Sequence, residues 1–370
     1  MSVQKIKQIK HEISQEHMER DDILEALFTS LISGQHCLLI GPPGTGKSAL
    51  IAEVVSRIEG MEYFQWLLTR FSTPEELFGP VSLKELEQGV YKRNTENKLP
   101  TAHVAFLDEI FKANSAILNA LLTLINERVF YNNGGMEQAN LMTMIGASNE
   151  YPEEEGLEAL FDRFLLRFEI PYIQEDASFI SMLKQEHNSS SRTTITLPEL
   201  QIMGMQCDTI HIPDQVYSKM NDIRVELQQE GFYPSDRRFK QSLMVLKAKA
   251  MLDERDAVKE EDLLILKNAL WEDIEERNQV WQIVEEHARD DVKDEVEQYR
   301  KEAMEVWEYL KQEQTTDAAT EGFNKFKSIV INLVDLRNDN PDRKDEILEL
   351  EEKVMAYRHE ISKTFLDTPV

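Results

Sequence analysis

Between residues 21 and 187 the apolar positions run in two alternating rhythms. Segments such as DDILEALFTSLISG and NSAILNALLTLINERVF carry apolar residues at helical spacing, and the short continuous runs HCLLI, HVAFL and LMTMIGA stand between them. Alternation of this kind predicts a parallel sheet with helices packed on it, an α/β core. From about residue 172 to 273 the strand-like runs stop. Helical segments follow one another there, broken by NSSSRTT, HIPD and GFYPSD, which predicts a small all-α unit. Beyond it Val292, Val296, Tyr299, Ala303, Val306 and Leu310 are spaced as a heptad seam, and Ile347, Leu350, Val354, Tyr357 and Ile361 repeat the pattern. The turn-rich stretches EQTTDAATEG and RNDNPDRK between them predict a folded-back bundle or stalk rather than one rod. Ile6, Ile9 and Ile13 have similar spacing and are expected to complete that bundle. The expected division is therefore 1–20, an amino-terminal helix on the extension; 21–173, the core; 174–273, a helical lid; and 274–370, a helical extension.

Composition narrows the setting. A chain of 370 residues divides into two or three units. No apolar run approaches the roughly 18 residues that span a bilayer, so no membrane insertion is expected. The start, MSVQKIKQIKHEISQEHMER, lacks the apolar stretch of a secretory signal, and Cys37 and Cys207 fit neither a metal site nor a disulfide framework. Both read as core thiols, and the expected location is cytoplasmic. The formal net charge of −27 argues against nucleic acid as a partner, because phosphate-gripping proteins present a basic face.

The chemistry concentrates at three strand ends. GPPGTGKS, residues 41 to 48, matches the phosphate-loop pattern, with an apolar strand entering it and the helix SALIAEVVSRI leaving it. Backbone N–H groups of Gly41, Gly44, Thr45, Gly46, Lys47, Ser48 and Ala49, in a turn shaped by Pro42 and Pro43, then frame a phosphate site at a helix amino terminus. Lys47 is expected to reach the β- and γ-phosphates of ATP, and the Ser48 hydroxyl to take a position on Mg²⁺. HVAFLDEI supplies Asp108, which would hold the magnesium through water, and Glu109, which would polarise the attacking water. LMTMIGASN ends in Asn149, whose amide would sense the γ-phosphate or orient that water.

Two groups of arginines have no partner in the sequence. LEALFDRFLLR places Arg163 at a helix-to-strand junction, with Arg167 on the following strand in reserve. PSDRRFK opens a helix with Ser235 as N-cap and puts Arg237 and Arg238 in the first turn, where the helix dipole disfavours cations by a few tenths to about 1 kcal/mol. Either Asp236 offsets that cost or one arginine reaches a nucleotide phosphate.

With these motifs in order over residues 19 to 275, the chain resembles a MoxR-family AAA+ ATPase, most like its RavA branch. The matching runs are GPPGTGKS, ELFGPVSL, FLDEIFKANSAILNALLTLINER, ASNEYPE, LEALFDRFLLR and SDRRFK. The resemblance implies a phosphate-loop core with a helix-2 insert, an all-α lid and a hexameric ring. It implies that 71–102 is the insert and FYNNGGMEQ a hairpin, both projecting toward the pore. It further implies that Arg163 acts in trans as an arginine finger, that Arg237 rather than Arg238 is the sensor 2 residue, and that a von Willebrand factor A (VWA) domain protein is a partner in remodelling a protein client. The β-rich module of RavA proteins has no counterpart after residue 275. On residues alone, a nucleic-acid motor or loader and a nucleotide-gated assembly scaffold stay open beside remodelling.

Overall fold

The apolar runs of the first half become a five-stranded parallel sheet. The computed structural model describes residues 2–152, 157–184, 192–313, 315–340 and 343–363. In chain order the core comprises helices α1 (Ser2–Glu16) and α2 (Asp21–Ser33), strand β1 (Cys37–Ile40), α3 (Lys47–Ser56), β2 (Tyr63–Leu67), β3 (Val104–Asp108), α4 (Ser115–Glu127), β4 (Thr143–Ser148), α5 (Glu158–Arg163) and β5 (Leu166–Glu169). The strand order is β2-β3-β4-β1-β5, with every neighbouring pair parallel. Central β1 and β4 are buried along their whole length, which is why CLLI and TMIGAS read as continuous apolar runs instead of alternating ones. Helix α2 starts on Asp21 and Asp22, which suit the positive end of its dipole, and stops at Gly34 in the left-handed region, φ 66°.

The segment 71–102 between β2 and β3 folds as the short helices Pro74–Phe78 and Leu83–Leu86 joined by turns. After α4 comes an antiparallel hairpin, Val129–Asn132 with Gly135–Gln138. Its two-residue turn puts Asn133 and Gly134 at positive φ, the geometry that matches strand twist. Arg93 N–H donates to Asn132 Oδ1 at 2.7 Å, so insert and hairpin are tied together.

The helical part holds α6 (Asp176–Lys184), α7 (Leu197–Gln206), α8 (Asp214–Gln229), α9 (Asp236–Leu252) and α10 (Arg277–His287). Here three expectations are corrected. A two-residue strand, Ile195–Thr196, pairs in parallel with Ile58–Glu59, so strands do not stop at 172. The amino-terminal helix, expected on the extension, belongs to the first unit: α1 packs on α2, α3, α7 and α9, with Ile6, Ile9 and Ile13 fully buried in the main core. Polar ties hold it there, since Arg57 pairs with Glu12 and Glu53 and the Glu12 carboxylate accepts from Thr193. The boundary of the extension also moves. Residues 1–288 form one unit and 289–370 a second, because Val280, Ile283 and Val284 of α10 bury in the first.

The second unit is three helices, α11 (Asp291–Gln312), α12 (Thr316–Asp339) and α13 (Lys344–Ile361), with a core of its own. Val296, Ala303, Val306 and Leu310 meet Ile347, Leu350 and Val354 around fully buried Phe326, and Trp307 stacks on Tyr357 at 4.5 Å. The heptad seams are thus the inside of a folded-back bundle. Among the described residues no helix is long and apolar enough to cross a membrane.

Candidate active site

The phosphate-loop residues stand at the carboxyl ends of the strands, the usual crevice of an open parallel sheet. Gly41 N–H bonds Ser148 O at 3.0 Å and Ile170 N–H bonds Ile40 O at 2.7 Å, which closes β4, β1 and β5 together beneath the loop. A Cβ on Gly41 would lie 2.2 Å from Ile170 O, so only glycine fits. Gly46 caps α3 at φ 82°, a conformation other residues resist, and so turns the first N–H groups of α3 toward the loop. Thr45 Oγ1 braces the turn on Pro42 O at 3.0 Å.

Lys47 is 7% exposed. Its Nζ donates to Gly41 O at 2.5 Å, Pro42 O at 3.1 Å and Asn149 Oδ1 at 3.1 Å, all neutral acceptors. Burial holds its pKa below the usual lysine value, partly offset by Asp108 and Glu109. A half-desolvated ammonium on neutral oxygens gains most from an incoming anion.

Asn149 bridges the site. While its Oδ1 accepts from Lys47, its Nδ2 donates to Glu109 Oε1. Glu109 itself follows Asp108 with a left-handed backbone, φ 54°, a conformation that costs a non-glycine residue about 1–3 kcal/mol and is typical of functional positions. Its carboxylate pairs with Lys112 Nζ at 3.1 Å. Asp108 Oδ1 accepts only from its neighbour's N–H, Glu109 N at 3.0 Å, among its described side-chain bonds. Ser48 and Asp108 form a hard oxygen pair, and among the described residues no group of three or more His, Cys, Asp or Glu could hold a metal by itself. That donor set suits Mg²⁺, which takes one or two protein oxygens and fills its octahedron with water and phosphate.

Two hollows flank these residues. One, of about 400 Å³, lies beside Gly44–Gly46 and is walled by His17, Met18, Tyr172, Ile173, Phe179 and Met182. Its walls are stitched together: Glu19 accepts from the N–H groups of Gln174 and Glu175, Arg20 donates to Pro171 O, and Tyr172 OH donates to Pro43 O. Burial lowers the pKa of His17. The pattern of size and apolar lining fits the base of a nucleotide. Sequence reasoning missed it because its walls come from two segments 155 residues apart. The other hollow, of about 750 Å³, opens on Glu109 and Lys112 and reaches Tyr151.

The arginines separate sharply. Arg167 is 1% exposed and donates to the carbonyls of Phe161, Phe164 and Trp271 while its guanidinium lies 3.8 Å from the Phe161 ring centre. As a reserve finger it is ruled out, because Trp271 covers the strand face on which it lies. Arg238 is also fully buried, on Asp162 and the carbonyls of Ala269 and Leu165. Neighbours on a helix point about 100° apart, so burying Arg238 leaves Arg237 half-exposed, 3.9 Å from Asp162. Beside Asp236 in the first turn, Asp162 thus offers both arginines a carboxylate partner. Ser235 takes the N-cap position without a cap bond, its hydroxyl buried and unpaired.

Arg163 donates to Asp162 Oδ2 at 3.1 Å, the local pairing, with its Nε buried and unpaired. Helix α5 leads into β5 beside the start of β1, where Cys37 pairs with Leu166 and Leu166 N–H bonds His36 O. Arg163 and its neighbour Arg237 are therefore at the amino ends of the strands, and the phosphate loop at the carboxyl ends. Four residues at about 3.3 Å each put some 13 Å between the two ends along β1 alone. The run EEEGLEALFD, residues 153–162, reads as helix in the sequence; the described helix begins at Glu158, and residues 153–156 lie outside the described residues.

Residues 4–207 match the family model of the MoxR domain in the MoxR-vWA-beta-propeller ternary systems, and residues 215–284 match an AAA lid domain. Two uncharacterised proteins of Methanocaldococcus jannaschii are 40% and 38% identical over 74% and 73% of this chain, covering 71% and 72% of their own lengths. The chaperone MoxR1 of Mycobacterium tuberculosis is 28% identical over 41% of either chain. A crystal structure from Cytophaga hutchinsonii, described as that of a candidate ATPase, superposes with a TM-score of 0.64 at 18% identity, over 77% of this chain and 93% of that one, which shows the shared fold. The RavA branch is not supported, since the matched domain is that of the ternary systems. A family model matched over more than half of this chain, a lid matched behind it, and a phosphate loop facing Asp108, Glu109 and Asn149 place this α/β chain in the MoxR family of AAA+ ATPases.

Proposed function

We propose that the protein hydrolyses ATP at the interfaces of a hexameric ring and uses the cycle to remodel or mature a protein client, together with a VWA-domain partner. The observation that carries the reading is the division of the machinery between the two ends of the sheet. Lys47, Asp108, Glu109 and Asn149 gather at one end, and Arg163 with Arg237 at the other. An arginine about 13 Å of strand away from its own phosphate loop serves the loop of an adjacent copy more readily than its own.

Within one subunit the residues act as follows. The loop from Gly41 to Ala49 offers its N–H groups to phosphate, and Lys47 exchanges its carbonyl acceptors for phosphate oxygens. Ser48 and Asp108 would hold Mg²⁺, which would offset negative charge developing on the phosphate. Asn149 parts from Lys47 when phosphate takes the ammonium, and its amide keeps Glu109 set to accept a proton from water. Arg163 and Arg237 of the adjacent copy then face the γ-phosphate; such arginines are worth about 10³–10⁵ in rate.

The VWA partner is supported by the description of the matched family model, and the chaperone role by the name of the Mycobacterium relative. The insert and its hairpin, tied through Arg93 and Asn132, are assigned to the pore side. The test is mixing. Arg163→Ala is expected to bind ATP and hydrolyse it slowly, Lys47→Ala to bind none, and mixed rings to regain turnover. Absence of rescue removes the trans assignment. A Glu109→Gln variant, loaded with ATP, is expected to retain a VWA-domain protein on affinity capture; capture of nothing at full occupancy removes the remodelling role.

A further inference from the structure

Three guanidinium groups converge on one carboxylate at the end of α5. Asp162 Oδ1 accepts from Arg238 at 3.2 Å, Oδ2 accepts from Arg163 at 3.1 Å, and Arg237 lies 3.9 Å from Oδ2. The three differ in freedom. Arg238 is fixed, fully buried on the carbonyls of Asp162, Leu165 and Ala269, whereas the side chains of Arg163 and Arg237 are 22% and 35% exposed. In direct contact, three guanidinium groups meet the one Asp162 carboxylate, a local surplus of positive charge in a strongly acidic chain, with Glu272 and Arg167 acting on the same cluster from beside it. Like charges this close repel, and a carboxylate between them is what allows both to stay. The Nε of Arg163 is buried without an acceptor, so the hydrogen bonding of this guanidinium is incomplete in the subunit as it stands.

We infer that Asp162 is a positioning residue, which holds Arg163 and Arg237 side by side as one two-pronged anion site and, through buried Arg238, locks that pair to helix α9. The inference rests on the reading of Arg163 as acting on the nucleotide of an adjacent copy. Asp162 belongs to the core and Arg237 and Arg238 to the helical lid. The two prongs therefore come from different parts of the unit, and among the described ion pairs Asp162 is the group shared by all three arginines. Because Arg238 is clamped to backbone carbonyls on both sides of Phe164, a shift of α9 carries Arg163 and Arg237 together. The pair then meets a terminal phosphate as a unit or not at all.

The experiment uses the full chain with Asp162→Asn, which keeps shape and removes charge. ATP affinity is expected to stay within about twofold, since Asp162 is at the far end of the sheet from the loop, while kcat falls about 10- to 100-fold from misplacing groups by an ångström or so. The decisive readout is the polarity of mixing. Asp162→Asn with Lys47→Ala should regain turnover, and Asp162→Asn with Arg163→Ala should not, because both defects are on the same face. The Asp162→Asn/Arg163→Ala double variant should be no slower than Arg163→Ala alone. Wild-type kcat in Asp162→Asn beside a crippled Arg163→Ala overturns the inference and leaves the trans reading intact. A fully active Arg163→Ala removes that reading and the inference with it. Where Asp162→Asn does not fold, Asp162→Glu keeps a charge for Arg238 while displacing the carboxylate. A fivefold or greater loss of kcat with the same mixing polarity supports the inference, and wild-type turnover overturns it.

Discussion

Replacing Asn149 with alanine isolates the bridge between the two halves of the phosphate end. The amide accepts from the Lys47 ammonium at 3.1 Å and donates to the Glu109 carboxylate. Both bonds involve a charged partner, worth about 1.5–3 kcal/mol each in a protein. Neither partner is stranded by the change: Lys47 keeps the carbonyls of Gly41 and Pro42, and Glu109 keeps Lys112. The fold should therefore lose little. What disappears is the group that sets Glu109 while phosphate occupies Lys47. If that group acts as a prearranged donor in the transition state, its removal costs about 10²–10³ in kcat, or roughly 2.7–4 kcal/mol. Phosphate release under saturating ATP gives kcat, and a fluorescent nucleotide titration gives affinity. The expectation is a large fall in the first with a small change in the second. A kcat within about threefold of wild type would show that Glu109 is set by Lys112 or by its own backbone turn, and the role given to Asn149 would be withdrawn.

Two further perturbations test the frame that holds the site. Arg238→Met leaves several buried carbonyls and one side of Asp162 without a donor; breaking such a buried pair costs about 3–5 kcal/mol, so the thermal midpoint should drop by roughly 6–20 °C, and a drop under 2 °C would contradict the burial argument. For Glu12, burial pushes the carboxyl up, but hydrogen bonds from Thr193, Gln8 and Arg57 outweigh it and bring the pKa down to about 2. A depressed carboxylate contributes stability that is present above its unfolded pKa and lost as pH falls toward 2. Melting curves of wild type between pH 5 and about 2 should fall more steeply than those of Glu12→Gln, and equal slopes would remove α1 as an acid-sensitive tie.

The fold was legible wherever one physical rule decided it. Continuous runs such as CLLI and TMIGAS, short and bounded by turn residues, fit strands covered on both faces, and the seam from Val292 to Leu310 fits one face of a packed helix. Rules that score one segment at a time failed where two segments decide jointly. Ile6, Ile9 and Ile13 announce a buried stripe but not its partner, and what draws α1 to the core is the polar set of Glu12, Arg57 and Thr193, drawn from three segments. Arg167 failed for the same reason. Alternation along FLLRFEI marks it as outward, but Trp271, about a hundred residues on, covers that face and takes its hydrogen bond. The doublet Arg237–Arg238 was half legible: helix geometry requires the two to diverge, and only the fold says which one is inside.

The same distinction explains why the phosphate end was easier to read than the arginine end. A phosphate loop is built from consecutive residues, so its glycines, lysine and serine must appear in order in the sequence. An anion site assembled by Asp162 from α5 and α9 leaves no such trace, because its members are about 75 residues apart and each is unremarkable alone. Parallel strands set the relation between the two. Every strand of the five-stranded sheet runs the same way, so loops that follow strands gather at one end of the sheet and helix-to-strand junctions such as Asp162–Phe164 at the other. A subunit of this topology that places its phosphate site after β1 and its arginine before β5 holds the two halves apart by the length of a strand. On that reading a second copy brings them together, and the length of β1, not the reach of an arginine, makes turnover a property of the assembly.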